Sequence, residues 1–351
     1  MIKLSQRQKL ILDFIRKNNK AQNKNIKERL QKEKIEISRF SIARDLNFLL
    51  KNNLITKSGQ GRGLYYSELL LNKLLKYFEV DKYFKVDADD RKIEYNKFNF
   101  SIFSNLKNIL TEDEKKELDK LNHDYLDRLK KLSPTIIQKE TERLIIELSW
   151  KSSQIEGNTY SLIDTEILLK ENKEALGHKK SEATMLLNHK KALDFIFLNK
   201  EKFKKIKLQD IENIHKLTVM DLNIGYGVRK TLVGITGTKY RPLDNQYQIK
   251  EALEKMVITI NKIKHPIEKA LIANLIIAYI QPFEDGNKRT SRLIANSLLI
   301  ANNYCPLSFR SINEGDYKKA VILFYEQNSA SYFKDLFIKQ IKFSLNNYFQ
   351  K

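Results

Sequence analysis

Charged residues crowd around a single glycine: Asp285, Lys288, Arg289 and Arg292 flank Gly286-Asn287 in the run Ala278-Tyr-Ile-Gln-Pro-Phe-Glu-Asp-Gly-Asn-Lys-Arg-Thr-Ser-Arg292. The chemistry such a set suits is that of a nucleotide's phosphates. Asp285 could hold a magnesium ion while Lys288, Arg289 and Arg292 neutralise oxygens. Arg289 and Arg292 are three apart, hence neighbours on a helical face. The spacing alone fits a helical hairpin with a solvated basic end equally well.

The elements that must position these groups are legible on either side. The run Ala270 to Ile280 is almost wholly apolar and stops at Gln281-Pro282, and Leu293, Ile294, Leu298 and Leu299 begin a second apolar-periodic run. Pro282 lacks an amide proton and disfavours helical geometry in the residue before it, which predicts a helix end. Gly286 can take backbone angles other residues avoid, so the loop amides can converge at the positive end of the second helix. That is the geometry of an anion site.

A second stretch lies far upstream, Trp150-Lys-Ser-Ser-Gln-Ile-Glu-Gly-Asn-Thr-Tyr160. Ser152 and Glu156 are four apart on one helical face, and Gly157-Asn158 is a usual helix exit. Read alone, Glu156 is an ordinary capping or surface acid. Trp150 and Tyr160 suit core packing better than stacking on a base.

The first of these stretches resembles the signature of the Fic (Fido) family, His-Pro-Phe-x-(Asp/Glu)-Gly-Asn-(Gly/Lys)-Arg-x-x-Arg. It matches from Pro282 to Arg292 and departs at the first position, where Gln281 stands for histidine. The resemblance implies a mostly helical domain that binds ATP with magnesium and moves AMP onto a protein hydroxyl. By the family pattern Asp285 holds the metal, Gly286 and Asn287 the phosphates, Arg289 and Arg292 the polyphosphate, and Phe283 anchors the loop. Lys288 joins the nucleotide-binding set; a Lys there also marks a Fic branch that transfers phosphate instead of AMP. The upstream stretch resembles the family's inhibitory motif, (Ser/Thr)-x-x-x-Glu-(Gly/Asn), placed before the core as in its second class. Ser152, Glu156, Gly157 and Asn158 would carry it, with Glu156 set against Arg292. The run Val228 to Leu243, with Leu232, Val233 and Ile235 alternating around paired glycines, predicts a β-hairpin. It is similar to the Fic flap, which aligns a target by strand addition, so Gly237, Thr238, Tyr240 and Pro242 become candidate target contacts.

Gln281 decides the chemistry. A histidine with a pKa near ~6.5 can take a hydroxyl proton at neutral pH, and an amide is essentially non-basic. Loss of such a base typically costs on the order of 10² to 10⁴ in rate. Glu156 is the substitute the sequence offers, as a carboxylate able to activate water and so to favour removal of AMP over attachment. The alternative is a Fic pseudoenzyme that binds nucleotide without turnover and acts as a nucleotide-sensing transcriptional regulator.

The charge points to a second partner. The chain of 351 residues carries a formal charge of +21. Residues 1–66 hold sixteen Lys or Arg against five acids, about half of that excess in less than a fifth of the chain. A polyanion partner is expected for this segment. Leu10, Ile11, Phe14 and Ile15 form one helical stripe, Ile26 and Leu30 begin another, and Ser38 suits the cap of a third with Ile42, Leu46, Leu49 and Leu50. Two strands around a glycine-rich turn follow over Leu54 to Tyr66. The pattern resembles a bacterial winged helix-turn-helix. It implies DNA contacts from Arg39, Ser41, Arg44 and Asn47 on the recognition helix and from Lys57, Gln60 and Arg62 on the wing. Winged helices also serve as protein docking modules, and a two-fold dimer is their usual route to affinity.

The expected organisation is therefore mainly α: a winged helix-turn-helix at 1–66, a helical linker at 67–135 and an all-helical Fic core with a β-hairpin flap at 136–351. Thr111-Glu-Asp-Glu114 reads as a capping box before Leu118, Leu121, Leu126 and Leu129. Asp87, Asp89 and Asp90 lack the spacing of a calcium loop, and His178, His189 and His215 lack that of a zinc site. Cys305 is the single cysteine, so no intramolecular disulfide framework exists. The longest apolar run is about half of the roughly twenty residues a membrane span needs, and the first residues lack an apolar signal core. A cytoplasmic protein with no membrane contact is expected.

Overall fold

The computed structural model describes residues 4–35, 37–52, 54–69 and 72–350, and of Arg62 the backbone only. The chain divides into two compact units, Met1–Val86 and Asp87–Lys351.

In the first unit α1 (Gln6–Asn18), α2 (Asn23–Lys32) and α3 (Arg39–Lys51) precede an antiparallel pair, β1 (Ile55–Ser58) and β2 (Tyr65–Glu68). Ser5 and Gln8 form a reciprocal capping box on α1, and Ser38 caps α3 through the amide of Ser41. One face of each helix is apolar, and these faces meet in a core of Ile11, Ile15, Ile26, Leu30, Ile42, Leu46 and Leu49, closed by Ile55 and Tyr66. A short helix, α4 (Val80–Tyr83), ends the unit.

The second unit holds α5 (Glu112–Leu129), α6 (Pro134–Ile155), α7 (Leu162–Glu171), α8 (Lys180–Leu198) and α9 (Leu208–Val219). It continues with α10 (Gln246–Lys262), α11 (Pro266–Ile280), α12 (Asn287–Ala301), α13 (Glu314–Gln327) and α14 (Ser331–Asn347). The α11–α12 hairpin is its axis. Every residue of α11 from Ile267 to Ile280 is buried, as is nearly all of α12, because α8, α9, α10 and α13 pack around the pair. A helix apolar on all sides has no other stable place in water. Among the described residues no helix is long and apolar enough to cross a membrane.

The segment read as a linker over 67–135 is divided by this organisation. Its first part falls in the first unit, and residues from Asp87 onward fall in the second. Thr111 and Glu114 cap α5 reciprocally, and α5 lies along α14, where Lys334 meets Glu114 at 2.9 Å and Arg128 donates to the carbonyl of Leu345.

Candidate functional site

The turn between α11 and α12 is built from backbone constraints outward. Gln281 leaves α11 in the left-handed region, φ 51°, and its amide closes the helix on the Ile277 carbonyl. Gly286 opens α12 at φ 78°, and a Cβ there would lie 2.8 Å from Cγ1 of Val219. The Asn287 side chain staples the loop, accepting from the Phe283 amide at 2.9 Å and donating to the Phe283 carbonyl at 2.8 Å. Phe283 is fully buried and stacks on His215 of α9 at 3.7 Å between ring centres. Nε2 of His215 donates to the Asp285 carbonyl at 3.0 Å. Burial lowers the His215 pKa to about 4, outweighing that hydrogen bond, so the ring is neutral.

Two guanidinium groups lie beneath the turn. Arg292 is completely buried and gives Nε to Ser152 Oγ at 2.8 Å and Nη2 to the Ser152 carbonyl at 2.7 Å. Glu156 Oε1 lies 2.9 Å from the same Nη2 without hydrogen-bond alignment, and its other oxygen is 3.6 Å from Lys288. The contact is one of charge more than of a bidentate fork. Burial works against the Glu156 charge, yet Arg292 and then Lys288 outweigh it and hold the carboxyl below the usual carboxylate range. Arg289 is buried and meets Asp285 at 3.3 Å. Among the described residues Nη1 of Arg289 and Nη1 of Arg292 are buried donors without a hydrogen-bond partner, towards the positive end of α12.

A cavity of about 450 Å³ is lined by Glu156, Gly157, Gln281 and the run Glu284 to Arg289, with Arg292 buried behind its wall. Val233 to Thr236 and, from α13, Tyr317 and Tyr325 complete it. Asp285 is two-thirds exposed; one of its carboxylate oxygens takes the Gly286 amide at 2.6 Å and the other accepts from Arg289 at 3.3 Å. Ser152 contacts Arg292 and is absent from the cavity wall. Asn158 lies outside the cavity as well, fixing the exit of α6 by donating to the Glu182 carbonyl and accepting from Tyr160. Trp150 donates to the Tyr160 carbonyl, and Tyr160 is buried.

Gln281 is held by its amide, which donates to the Ala278 carbonyl at 2.7 Å and the Tyr325 hydroxyl at 3.3 Å. Burial pushes the Tyr325 phenol far above its usual range, so it stays protonated and is a donor rather than a base.

The hairpin anticipated over 228–243 is a loop with a turn at Thr236-Gly237 and no ladder of its own. Three of its carbonyls accept from arginines instead: Arg229 donates to Thr231 and Leu243, and Arg91 to Gly237. The same Arg91 forms a buried fork with Glu326 of α13, at 3.0 and 2.9 Å. Of the expected target contacts, Gly237 is exposed and Thr238 half-buried. Tyr240 and Pro242 are corrections. Pro242 is buried, and Tyr240 stacks on Tyr279 and Tyr325 and donates to the Tyr279 carbonyl at 2.8 Å, which removes both from a target surface.

In the first unit Arg44, Asn47, Lys57 and Gln60 are exposed. Arg39 is exposed but borders a cleft against α2, and Ser41 is half-buried and bonded to Ser38. The Arg62 side chain lies outside the described residues. His215, Tyr317, Tyr325, Arg229 and Arg91 were missed from sequence, because each meets the site from an element distant in the chain.

Comparison with known proteins places a Fic/DOC family domain at residues 205–299. A protein adenylyltransferase Fic of Nematostella vectensis is 28% identical over 177 residues, 48% of this chain and 40% of that protein. One of Aedes aegypti is 30% identical over 189 residues, 52% of this chain and 38% of that protein. The chain thus spans about two fifths of these relatives. Among solved structures, residues 134–508 of Fic-1 from C. elegans superpose with a TM-score of 0.56 at 20% identity, over 67% of this chain and 69% of that one. A Fic domain containing signaling protein of Bacteroides thetaiotaomicron gives 0.54 at 18%, over 66% and 94%. The helical architecture of the second unit is therefore that of the Fic fold.

Proposed function

We propose that the cavity is a Fic-type nucleotide site of AMP-transferase type, restrained by Glu156 and slowed by Gln281, in a protein whose first unit binds DNA. The observation that carries this reading is Glu156, on the wall of a cavity that Arg289 also lines, lying 2.9 Å from the fully buried Arg292 behind that wall. A triphosphate in this cavity would meet Arg289, and its terminal oxygens would contest Arg292 with Glu156. The relatives named protein adenylyltransferase support the same reaction class.

A magnesium ion suits the donor set: the largely exposed carboxylate of Asp285 would hold it beside phosphates, the arrangement that small hard cation favours. When bound it would neutralise phosphate charge. The protein's own groups do the rest. The α12 amides and Arg289 orient the polyphosphate, and the loop Val233 to Thr236 lines the side from which a target hydroxyl would enter. Gln281 can accept and donate hydrogen bonds but cannot remove a proton. Glu156 is ionised at neutral pH and is therefore a base in the correct form, though a weak one, positioned to favour attack by water once phosphate displaces it from Arg292.

Labelled ATP with wild type, Glu156→Gly, Gln281→His and the double variant separates the two outcomes. Labelling of self or a lysate protein by Glu156→Gly alone supports the enzyme. Labelling only when histidine is restored supports the regulator, a nucleotide-sensing pseudoenzyme, a reading favoured by the tethered, non-basic Gln281 side chain.

A further inference from the structure

Counting 100° per residue along α3, the buried side chains Ile42, Asp45, Leu46 and Leu49 occupy one arc. Directly opposite fall Phe40, Arg44, Asn47 and Lys51, at spacing i, i+4, i+7, i+11, all exposed. Phe40 is 85% exposed on the first turn of the helix. Arg39, by contrast, borders the cleft with α2, and Ser41 is engaged by the Ser38 cap. The helix is pinned from behind: Asp45 is buried and held by Arg7 and by Gln8 of α1. Its outward stripe is thus rigidly presented and carries a large apolar ring one turn from the Arg44 cation, with Lys51 at the far end of the helix.

We infer that this stripe is a major-groove reading face and that Phe40 reads the C5-methyl groups of thymine, with Arg44 and Asn47 pairing with neighbouring bases. This rests on the DNA-binding reading of the first unit and adds which residues read and what they read. The major groove presents the thymine methyl as its one apolar mark, and the N-terminal turns of a recognition helix reach base edges. Arginine suits guanine and asparagine suits adenine in the same groove. The net +11 of residues 1–66 supplies the phosphate attraction that brings such a face to duplex DNA. A protein partner would need the same ring to enter an apolar pocket, and the neighbouring Arg44 and the Lys51 further along the stripe make that a poorer match than a polyanion.

The test uses the full chain and a random duplex library. Sequences enriched by selection are resynthesised with deoxyuridine for each thymidine, which removes the methyl and leaves base pairing intact. Wild type should lose roughly fourfold in affinity for each methyl buried. Phe40→Ala should bind the thymidine duplex with that same loss and be indifferent to the replacement. Arg44→Ala should bind more weakly yet keep the methyl sensitivity. Enrichment of sequences to which wild type binds equally with and without the methyl overturns the role of Phe40 and leaves DNA binding standing. Binding without any enriched sequence overturns the reading face altogether. No binding to any duplex at low salt overturns the DNA reading itself and leaves protein docking as the role of the unit.

Discussion

Ser152 takes two hydrogen bonds from Arg292, one on its hydroxyl and one on its backbone carbonyl. The guanidinium is thereby fixed in orientation by the last turns of α6, and Glu156, four residues further, adds charge without aligned hydrogen bonding. The division of labour matters. An arginine held by a serine remains in place when the acid leaves, so Glu156 can be displaced by phosphate without dismantling the site.

His215 contributes to the pH dependence of stability, alongside the buried His189, whose pKa burial also lowers. The folded pKa of His215 is lowered from 6.5 to about 4, so between those values the unfolded chain binds a proton that the folded one refuses. Stability should fall as pH drops from 6.5 towards 4. The Glu156 carboxyl, lowered from 4.5, contributes fully above that value and is lost only on further acidification. Melting temperatures measured across this range should show a shallower slope for His215→Gln. An unchanged slope would mean that the ring is not held neutral against Phe283.

Gly286→Ala should be damaging out of proportion to its size. Positive φ and a Cβ 2.8 Å from Val219 together impose about 1 to 3 kcal/mol of strain or a shift of the loop. Calorimetry should find MgATP binding weakened and thermal unfolding a lower Tm. Wild-type values for both would show that the turn is not tightly constrained.

Arg91→Ala tests the clamp on the loop beside the cavity. Removing the guanidinium leaves the Glu326 carboxylate buried without it, at a cost of about 3 to 5 kcal/mol. It also frees the Gly237 carbonyl. Limited proteolysis should then cut within 231–241 before anything else in the second unit. A cleavage pattern identical to wild type would place the loop's anchorage elsewhere, on Arg229.

What the sequence made legible was local. The Pro282 to Arg292 turn could be read because its constraints lie within one stretch, and the Ser152–Glu156 pair because a helix brings i and i+4 together. The partners that complete them could not. His215 reaches the Asp285 carbonyl across 70 residues and Arg91 reaches Glu326 across 235, contacts set only when helices pack. The 228–243 loop misled for a related reason. Alternation gives a stretch the tendency to pair, but here the carbonyls of Thr231, Gly237 and Leu243 accept from arginine side chains and no partner strand is present among the described residues. On α3 the apolar periodicity gave the buried face correctly, and projecting the opposite face would have found Phe40 and Lys51. Attention to polar residue types alone passed over the ring.

The central claim is that Glu156 and a nucleotide's phosphates compete for Arg292. Titration calorimetry of MgATP into wild type, Glu156→Gln and Arg292→Ala measures this directly. The Gln variant should bind about tenfold more tightly than wild type and the Ala variant at least that much more weakly. Equal affinity in wild type and Glu156→Gln, or heat from neither, would contradict the account.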